Sequence, residues 1–358
     1  MTAPATWAID EHLDPVHLNS RIYQANKALA TPCHAILWGS PDYSYTGSSS
    51  VGAVHFSSGV ANGMTVRASG SNRTGAVVTE AGWYSVELNL TAQVDGGTPD
   101  SHFIAFVMVN GFYSGRGIFT ARSFYQQSAY VHRLLDLKAG DVITAAVFTD
   151  AGRKVSFGLT DASCRLSASR ISDSPWEDAP ALPPLKTWQP RELATPAIFN
   201  EQVRDVQKFL RNPPHFSLTR SKSATIAGGT TTNLPWDNDS LYGFTASKNS
   251  SGEIIGVRPN FPGRYLIHGQ ICGKLDKSVG HLCIYVKRNS STKGMGVAQY
   301  ENSSYMDSTL ATTVVDLSVT DVISTDVYVS AGRTGHITDT AEQQLASVLL
   351  GYWIGATT

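Results

Sequence analysis

Apolar and polar positions alternate with a period of two over most of the chain. The runs are short: Ala35 to Gly39, Ala53 to Ser57, Gly63 to Ser69, Gly75 to Thr79, Trp83 to Val94, His102 to Gly111, Tyr130 to Leu137, Asp141 to Phe148, Lys154 to Leu159 and Cys164 to Ile171, separated by Gly, Asn, Asp and Ser. Such spacing sends successive side chains to opposite faces, so it predicts β-strands. Leu241 to Ser247, Ile254 to Pro259, Arg264 to Gly273, His281 to Asn289, Thr309 to Leu317, Asp321 to Ser330 and Leu345 to Gly355 repeat the pattern. About eight to ten strands in each set, within roughly 140 residues, predict an antiparallel sandwich of the jelly-roll or Greek-key kind.

Two stretches follow a different period. Leu18, Ile22, Ala25 and Leu29 recur at spacings of 4, 3 and 4, and so do Phe199, Val203, Val206 and Leu210. This is the apolar stripe of an amphipathic helix. Asp14-Pro15 and Thr195-Pro196 put a capping side chain ahead of a proline suited to the first helical position, and Pro32 and Pro213-Pro214 stop the helices. The stripe can lie on its own domain, or it can form a seam between copies of the chain, which makes Leu18, Ile22, Leu29, Phe199, Val203, Val206 and Leu210 candidate oligomer-interface residues. Two heptads are too short to hold a coiled coil alone, so the rest of each domain has to drive such an assembly.

The two sets of strands and the two helices are one unit written twice. Residues 6–34 align without a gap on 187–215, with Thr6, Trp7, Glu11, Pro15, Asn19, Lys27, Leu29, Pro32 and His34 matching Thr187, Trp188, Glu192, Pro196, Asn200, Lys208, Leu210, Pro213 and His215. Further on, Gly82-Trp83-Tyr84 falls on Gly263-Arg264-Tyr265, the stretch 134–148 on 314–328, and Ala151-Gly152-Arg153 on Ala331-Gly332-Arg333. Several matches in the same order at nearly one offset indicate a duplication. The expected organisation is an N-terminal helical segment (1–34), a first jelly roll (35–171), a linker with four prolines (172–186), a second helical segment (187–215) and a second jelly roll (216–358). The expected fold class is mainly β, with two tandem antiparallel jelly-roll sandwiches, each preceded by a short α-helix.

Within each unit the order of elements resembles the tumour necrosis factor-like and complement globular-head jelly rolls. The residues that carry the resemblance are Gly82-Trp83-Tyr84 and Gly263-Arg264-Tyr265, then Val109-Asn110-Gly111 and Arg288-Asn289, then the Leu-x-x-x-Asp-Val of Leu137 to Val142 and Leu317 to Val322. The resemblance implies a tight homotrimer with aromatic and apolar residues along its axis. The second helical segment, with Trp188, Asn200, Arg204, Asp205 and Asn212-Pro213-Pro214, is similar to a stretch of tailed-bacteriophage minor tail and fibre-like proteins. The first segment keeps only Trp7, Asn19 and Pro32 of that pattern.

Charge and composition narrow the function. Lys plus Arg number 28 against 29 for Asp plus Glu, a net charge of −1, so no overall positive field exists to hold a phosphate backbone and nucleic acid is not expected as a ligand. The N-terminus lacks a basic region followed by an apolar run, and no apolar stretch is long enough to span a bilayer, so synthesis in the host cytoplasm without membrane insertion is expected. Cys33, Cys164, Cys272 and Cys283 are too scattered for a disulfide framework or zinc spacing and are read as buried free thiols.

Candidate chemistry is sparse. The chain has no phosphate-binding glycine loop, no His-Glu-x-x-His, no Gly-x-Ser-x-Gly and no calcium-loop pattern, so no cofactor, metal or catalytic residue is expected. His34 and His215 each follow the helix-ending proline segment and are expected to hydrogen-bond the backbone. The stretch 111–130 places Phe112, Tyr113, Phe119, Phe124, Tyr125 and Tyr130 among small polar residues, which suits either a trimer axis or stacking on a sugar.

The expected function is therefore non-enzymatic. The chain reads as a phage virion structural protein, a minor tail, fibre or surface-decoration component, acting by homotrimeric assembly and display. Its expected partners are its own copies and other tail or capsid proteins of the virion. A second reading is a host-glycan receptor-binding protein, and a third, less favoured, is a carbohydrate-active enzyme.

Overall fold

The computed structural model describes residues 32–39, 44–48, 50–95, 101–121, 127–157, 164–173, 195–276, 279–300, 306–337 and 347–356. Residues 1–31 of the first helical segment lie outside them, and with them Leu18, Ile22 and Leu29; so do Phe124 and Tyr125.

The first unit comprises β1 (His34–Trp38), β2 (Ser44–Thr46), β3 (Gly52–Ala53), β4 (Ser58–Asn62), β5 (Met64–Ser69), β6 (Asn72–Val78) and β7 (Gly82–Asp95). It continues with β8 (Ser101–Val109), β9 (Phe112–Ala121), β10 (Gln127–Leu137), β11 (Val142–Thr149), β12 (Lys154–Phe157) and β13 (Cys164–Ser172). One sheet runs β2-β12-β7-β13-β1-β4 with β10 also paired to β7, and the other runs β5-β6-β11-β8-β9 with β3 paired to β11. Every pairing is antiparallel. The second unit comprises β14 (His215–Thr219), β15 (Ala224–Ala227), β16 (Thr231–Asn233), β17 (Asn238–Tyr242), β18 (Phe244–Lys248), β19 (Ile254–Pro259) and β20 (Gly263–Leu275). After these come β21 (Gly280–Arg288), β22 (Ser291–Tyr300), β23 (Asp307–Leu317), β24 (Ile323–Val329), β25 (Thr334–Ile337) and β26 (Val348–Gly355). Its sheets run β15-β25-β20-β26-β14-β17, with β23 on β20, and β18-β19-β24-β21-β22, with β16 on β24. The strand order of the first unit recurs position for position, and each unit is a jelly-roll sandwich.

Each sandwich is filled by the inward half of the period-two pattern. Tyr84, Val86, Leu88 and Leu90 of β7 meet Phe103, Ala105 and Val107 of β8 and Ile143, Ala145 and Val147 of β11, all buried. Tyr265, Ile267 and Ile271 meet Leu282, Ile284, Val286, Ile323 and Val327 in the second unit. Burying each such side chain is worth roughly 1.5–3 kcal/mol, so these rows dominate the stability of the fold.

The short motifs shared by both units are small polar devices. The Tyr84 hydroxyl donates to the Glu80 carbonyl at 2.8 Å, and that of Tyr265 donates to the Phe261 carbonyl at 2.8 Å, so each ring enters the core with its polar end satisfied. Asn110 and Asn289 turn the β8–β9 and β21–β22 hairpins at φ of 53° and 55°, in the left-handed region that asparagine tolerates. Each is held by an aspartate from a neighbouring turn: Asn110 Nδ2 donates to Asp141 Oδ1 at 2.7 Å, and Asn289 Nδ2 to Asp321 Oδ1 at 2.8 Å. The other oxygen accepts a backbone N–H, from Lys138 to Asp141 and from Ser318 to Asp321, both at 2.7 Å. His34 and His215 bond the carbonyls of Pro32 and Pro213 through Nδ1 at 3.0 and 2.9 Å, as their position after the proline suggests.

Besides the short β2, β4, β14, β15 and β25, two long strands escape the sequence pattern. β9 and β22 carry Gly115-Arg116-Gly117 and Gly294-Met295-Gly296, which interrupt the apolar alternation. The glycines are there because β9 crosses β10, and β22 crosses β23, at close range. A Cβ on Gly117 would lie 2.2 Å from the Tyr130 carbonyl oxygen, and one on Gly296 would lie 1.9 Å from that of Leu310.

Helix α1 spans residues 196–211 in three segments: Pro196–Phe199 and Val206–Arg211 are α-helical, and Asn200–Asp205 is π-wound. The Thr195 hydroxyl caps it by accepting the Ile198 N–H at 3.4 Å. Phe209 is its buried anchor, packed edge-on against Phe261 and Trp353 of its own unit.

Candidate assembly surfaces

The two units touch through surfaces of different kinds. The first offers a corner, where β9 and β10 cross. The second offers the outer face of the sheet around β26 and β20. Arg116 and Ile118 of β9 and Tyr130, His132 and Leu134 of β10 form the corner, and all but the half-buried Tyr130 are buried. Leu134 packs with Val348 and Leu350, bordered by Trp83, Ile171 and Tyr352. Beside it, Ile104, Phe106, Ile118 and Ala146 enclose Cys272, with Met306 at the margin. Polar contacts fix the register: Gln270 Nε2 donates to the Arg116 and Tyr130 carbonyls at 3.2 and 3.3 Å, and the Ile118 N–H donates to Ser308 Oγ at 3.2 Å.

A pair of histidines lies at the centre. The His132 and His268 rings are 4.9 Å apart, with Tyr130 5.5 Å from His268. His132 Nε2 bonds Ser85 Oγ at 2.8 Å, and His268 Nδ1 bonds Thr312 Oγ1 at 2.8 Å. Burial, with Arg133 beside it, pushes His132 down to about 3. Burial, followed by the positive potentials of His132 and Arg133, holds His268 well below the ordinary imidazole value. Glu87 lies 3.8 Å from His132, and its own carboxyl is raised by burial. Both imidazoles are therefore neutral, and the contact is built for uncharged rings.

A second junction ties the end of the first unit to helix α1. Asp173 receives Arg170 at 2.6 Å and Arg211 at 2.5 Å, and Asn212 Oδ1 accepts from Ser172 Oγ and the Asp173 N–H at 3.1 and 3.0 Å. Nearby, the Trp83 and His215 rings meet at 5.2 Å.

The residues singled out from sequence fall in several places. Phe119 is buried in the first core, stacked on Phe103 at 4.8 Å. Tyr130 joins the histidine pair. Phe112 is 77% exposed and Tyr113 47% exposed at the tip of the β8–β9 hairpin, Tyr113 lying 4.7 Å from Phe106. In α1, Phe199, Val203 and Val206 are half-buried and Leu210 is exposed. Sequence reasoning missed His132, His268, Gln270 and Asp173, because none belongs to a matched pair: the equivalents of His132 and His268 by alignment are Thr312 and Glu87. All four cysteines are free and buried. Among the described residues no group of three or more His, Cys, Asp or Glu side chains converges as a metal site would.

No protein-family model matches the chain, and comparison with curated proteins finds no match. Solved structures do resemble it. Murine APRIL at pH 5.0 is similar over 40% of this chain and 100% of that one, at 14% identity and a TM-score of 0.30. Eiger TNF from S. frugiperda is similar over 41% of this chain and 98% of that one, at 13% identity and a TM-score of 0.29.

Proposed function

We propose that the chain is a non-enzymatic structural component of a tailed-phage virion, a minor tail, fibre or decoration protein that works by assembling into a homotrimer and displaying its loops. The observation that carries this reading is the contact between the units. A corner of one sandwich seats on a sheet face of the other, through a mixed apolar and polar interface of the sort that holds protein subunits together. A surface that joins different patches of two similar modules can be used again between chains, closing into a ring. The similarity of Trp188, Asn200, Arg204, Asp205 and Asn212-Pro213-Pro214 to phage tail proteins supplies the virion setting. Mass spectrometry of purified particles should recover peptides of this chain, and light scattering of the isolated protein should give three times the chain mass. Particles free of the chain, or turnover of a polysaccharide by the purified protein, would overturn the reading.

A second reading, binding of a host glycan, rests on Phe112 and Tyr113. Two aromatic rings presented on a hairpin tip are a platform for stacking on a sugar. On this reading a glycan array probed with the assembled protein shows discrete hits that Phe112→Ala abolishes.

A further inference from the structure

The second unit repeats the corner that the first unit uses, and leaves it bare. The Asn110 and Asn289 turns set the alignment of β9 on β22, so that Arg116 and Ile118 correspond to Met295 and Val297. Leu137 and Leu317 set that of β10 on β23, so that Tyr130, His132 and Leu134 correspond to Leu310, Thr312 and Val314. Met295 is 58% exposed, Val297 50%, Leu310 38% and Val314 51%. Met295 and Val297 are exposed on β22, and Leu310 and Val314 on β23, which crosses it at Gly296, and exposed apolar side chains gathered at one corner mark interaction sites. The patch is also continuous with the contact already made, because Ser308, on the same strand as Leu310 and Val314, bonds the first unit.

What seats on such a corner is visible within the molecule. The first unit's corner meets the outer face of a β1-type, β13-type and β7-type sheet, and the chain contains one more face of that type. It lies on the first unit, where Val60, Ile36, Ser167 and Glu87 form a row across β4, β1, β13 and β7. Its equivalent in the second unit is Ser240, Ser217, Leu350 and His268, the row on which Leu134 and His132 sit. The apolar residues have moved along the row, from Leu350 on β26 to Ile36 and Val60, the latter 49% exposed. We infer that the Met295, Val297, Leu310 and Val314 corner docks on the Val60–Ile36 face of a second copy of the chain. The contact is head-to-tail, so every chain in the assembly uses one of each surface. This rests on the self-assembly reading above and specifies how that assembly is made.

The test uses the full chain and light scattering at micromolar concentration. Met295→Asp with Leu310→Asp should reduce an assembled mass to that of one chain, with circular dichroism unchanged because these side chains are exposed in the single chain. Val60→Asp should do the same from the opposite surface. Mixed in equal amounts, the two variants should pair at twice the chain mass and grow no further, since each retains the surface the other lacks. Variants that keep the wild-type mass, or a mixture that stays monomeric, would overturn the docking surface while leaving self-assembly intact. A monomeric wild type would remove both.

Discussion

At the scale of single residues, the chain repeats a clamp whose partners lie far apart in sequence. Asp321 is buried, which by itself raises a carboxyl, but bonds from Arg288, Ser318 and Asn289 outweigh this and hold it well below the usual range. Asp321→Ala removes the bonds to Arg288, the Asn289 amide and the Ser318 N–H, and should cost about 1–3 kcal/mol in urea unfolding at pH 7. Its pKa is depressed on folding, so the carboxylate's stabilisation is complete above the unfolded value near 4 and is lost as pH falls through the folded one. The gap in stability between the variant and wild type should therefore begin to narrow only below about pH 4, the upper edge of that window, and close as pH falls through the folded value. The hydroxyls of Tyr84 and Tyr265 each contribute a single bond, and replacement by Phe should cost about 1 kcal/mol in each unit. These residues were legible as repeated strings, Gly-x-Tyr and Leu-x-x-x-Asp-Val, because duplication preserved them. Their partners were not, because Asn110 lies 31 residues from Asp141 and only hairpin geometry brings them together.

At the scale of elements, the long strands with a buried face on one side were readable, whereas short ones such as β14 and β25 and those at a crossing were not. The long β7 and β20 run through the cores, and alternation marks both. β9 and β22 trade side chains for glycine where another backbone comes near, which erases the pattern that would reveal them. Helix α1 shows a second way for a pattern to mislead. Thr195 and Pro196 mark its start correctly, but the 4-3-4 stripe omits Phe209, the apolar side chain the helix buries. The reason is the π-wound turn, which takes an extra residue per hydrogen-bonded ring and so shifts which positions share a face. Phe209→Ala should lower stability by about 3–5 kcal/mol, with the loss confined to the second unit's unfolding transition. Thr195→Ala should cost about 1 kcal/mol through the lost cap. Thermal melts followed by near-ultraviolet signals distinguish the two by size.

At the scale of the whole molecule, the duplication was plain in the sequence, but the way its halves meet was not, because contact depends on where they differ: Leu350 against Ser167, His268 against Glu87. The neutral histidine pair makes that contact sensitive to acid. Both imidazoles have pKa values lowered by folding, so their contribution is complete above the unfolded value near 6.5 and is lost as pH falls towards the folded values, about 3 for His132. With Arg133 alongside and Glu87 the carboxylate beside His132, protonation adds charge to a site that already holds a buried cation. Melting temperature should fall steadily from pH 7 to pH 4.5, and His268→Leu should flatten that slope. The order of the strands carries a last consequence, for synthesis. In both sheets the final strand lies inside, β13 between β7 and β1, and β26 between β20 and β14. Neither sandwich can close until its last residues have left the ribosome, so the first completes itself while the second is still being made, and each nascent sheet holds an open slot that fits the other's closing strand. A chain lacking residues 347–358 should therefore yield a protease-resistant fragment covering the first unit alone, with the second degraded or aggregated through the two edges left unpaired.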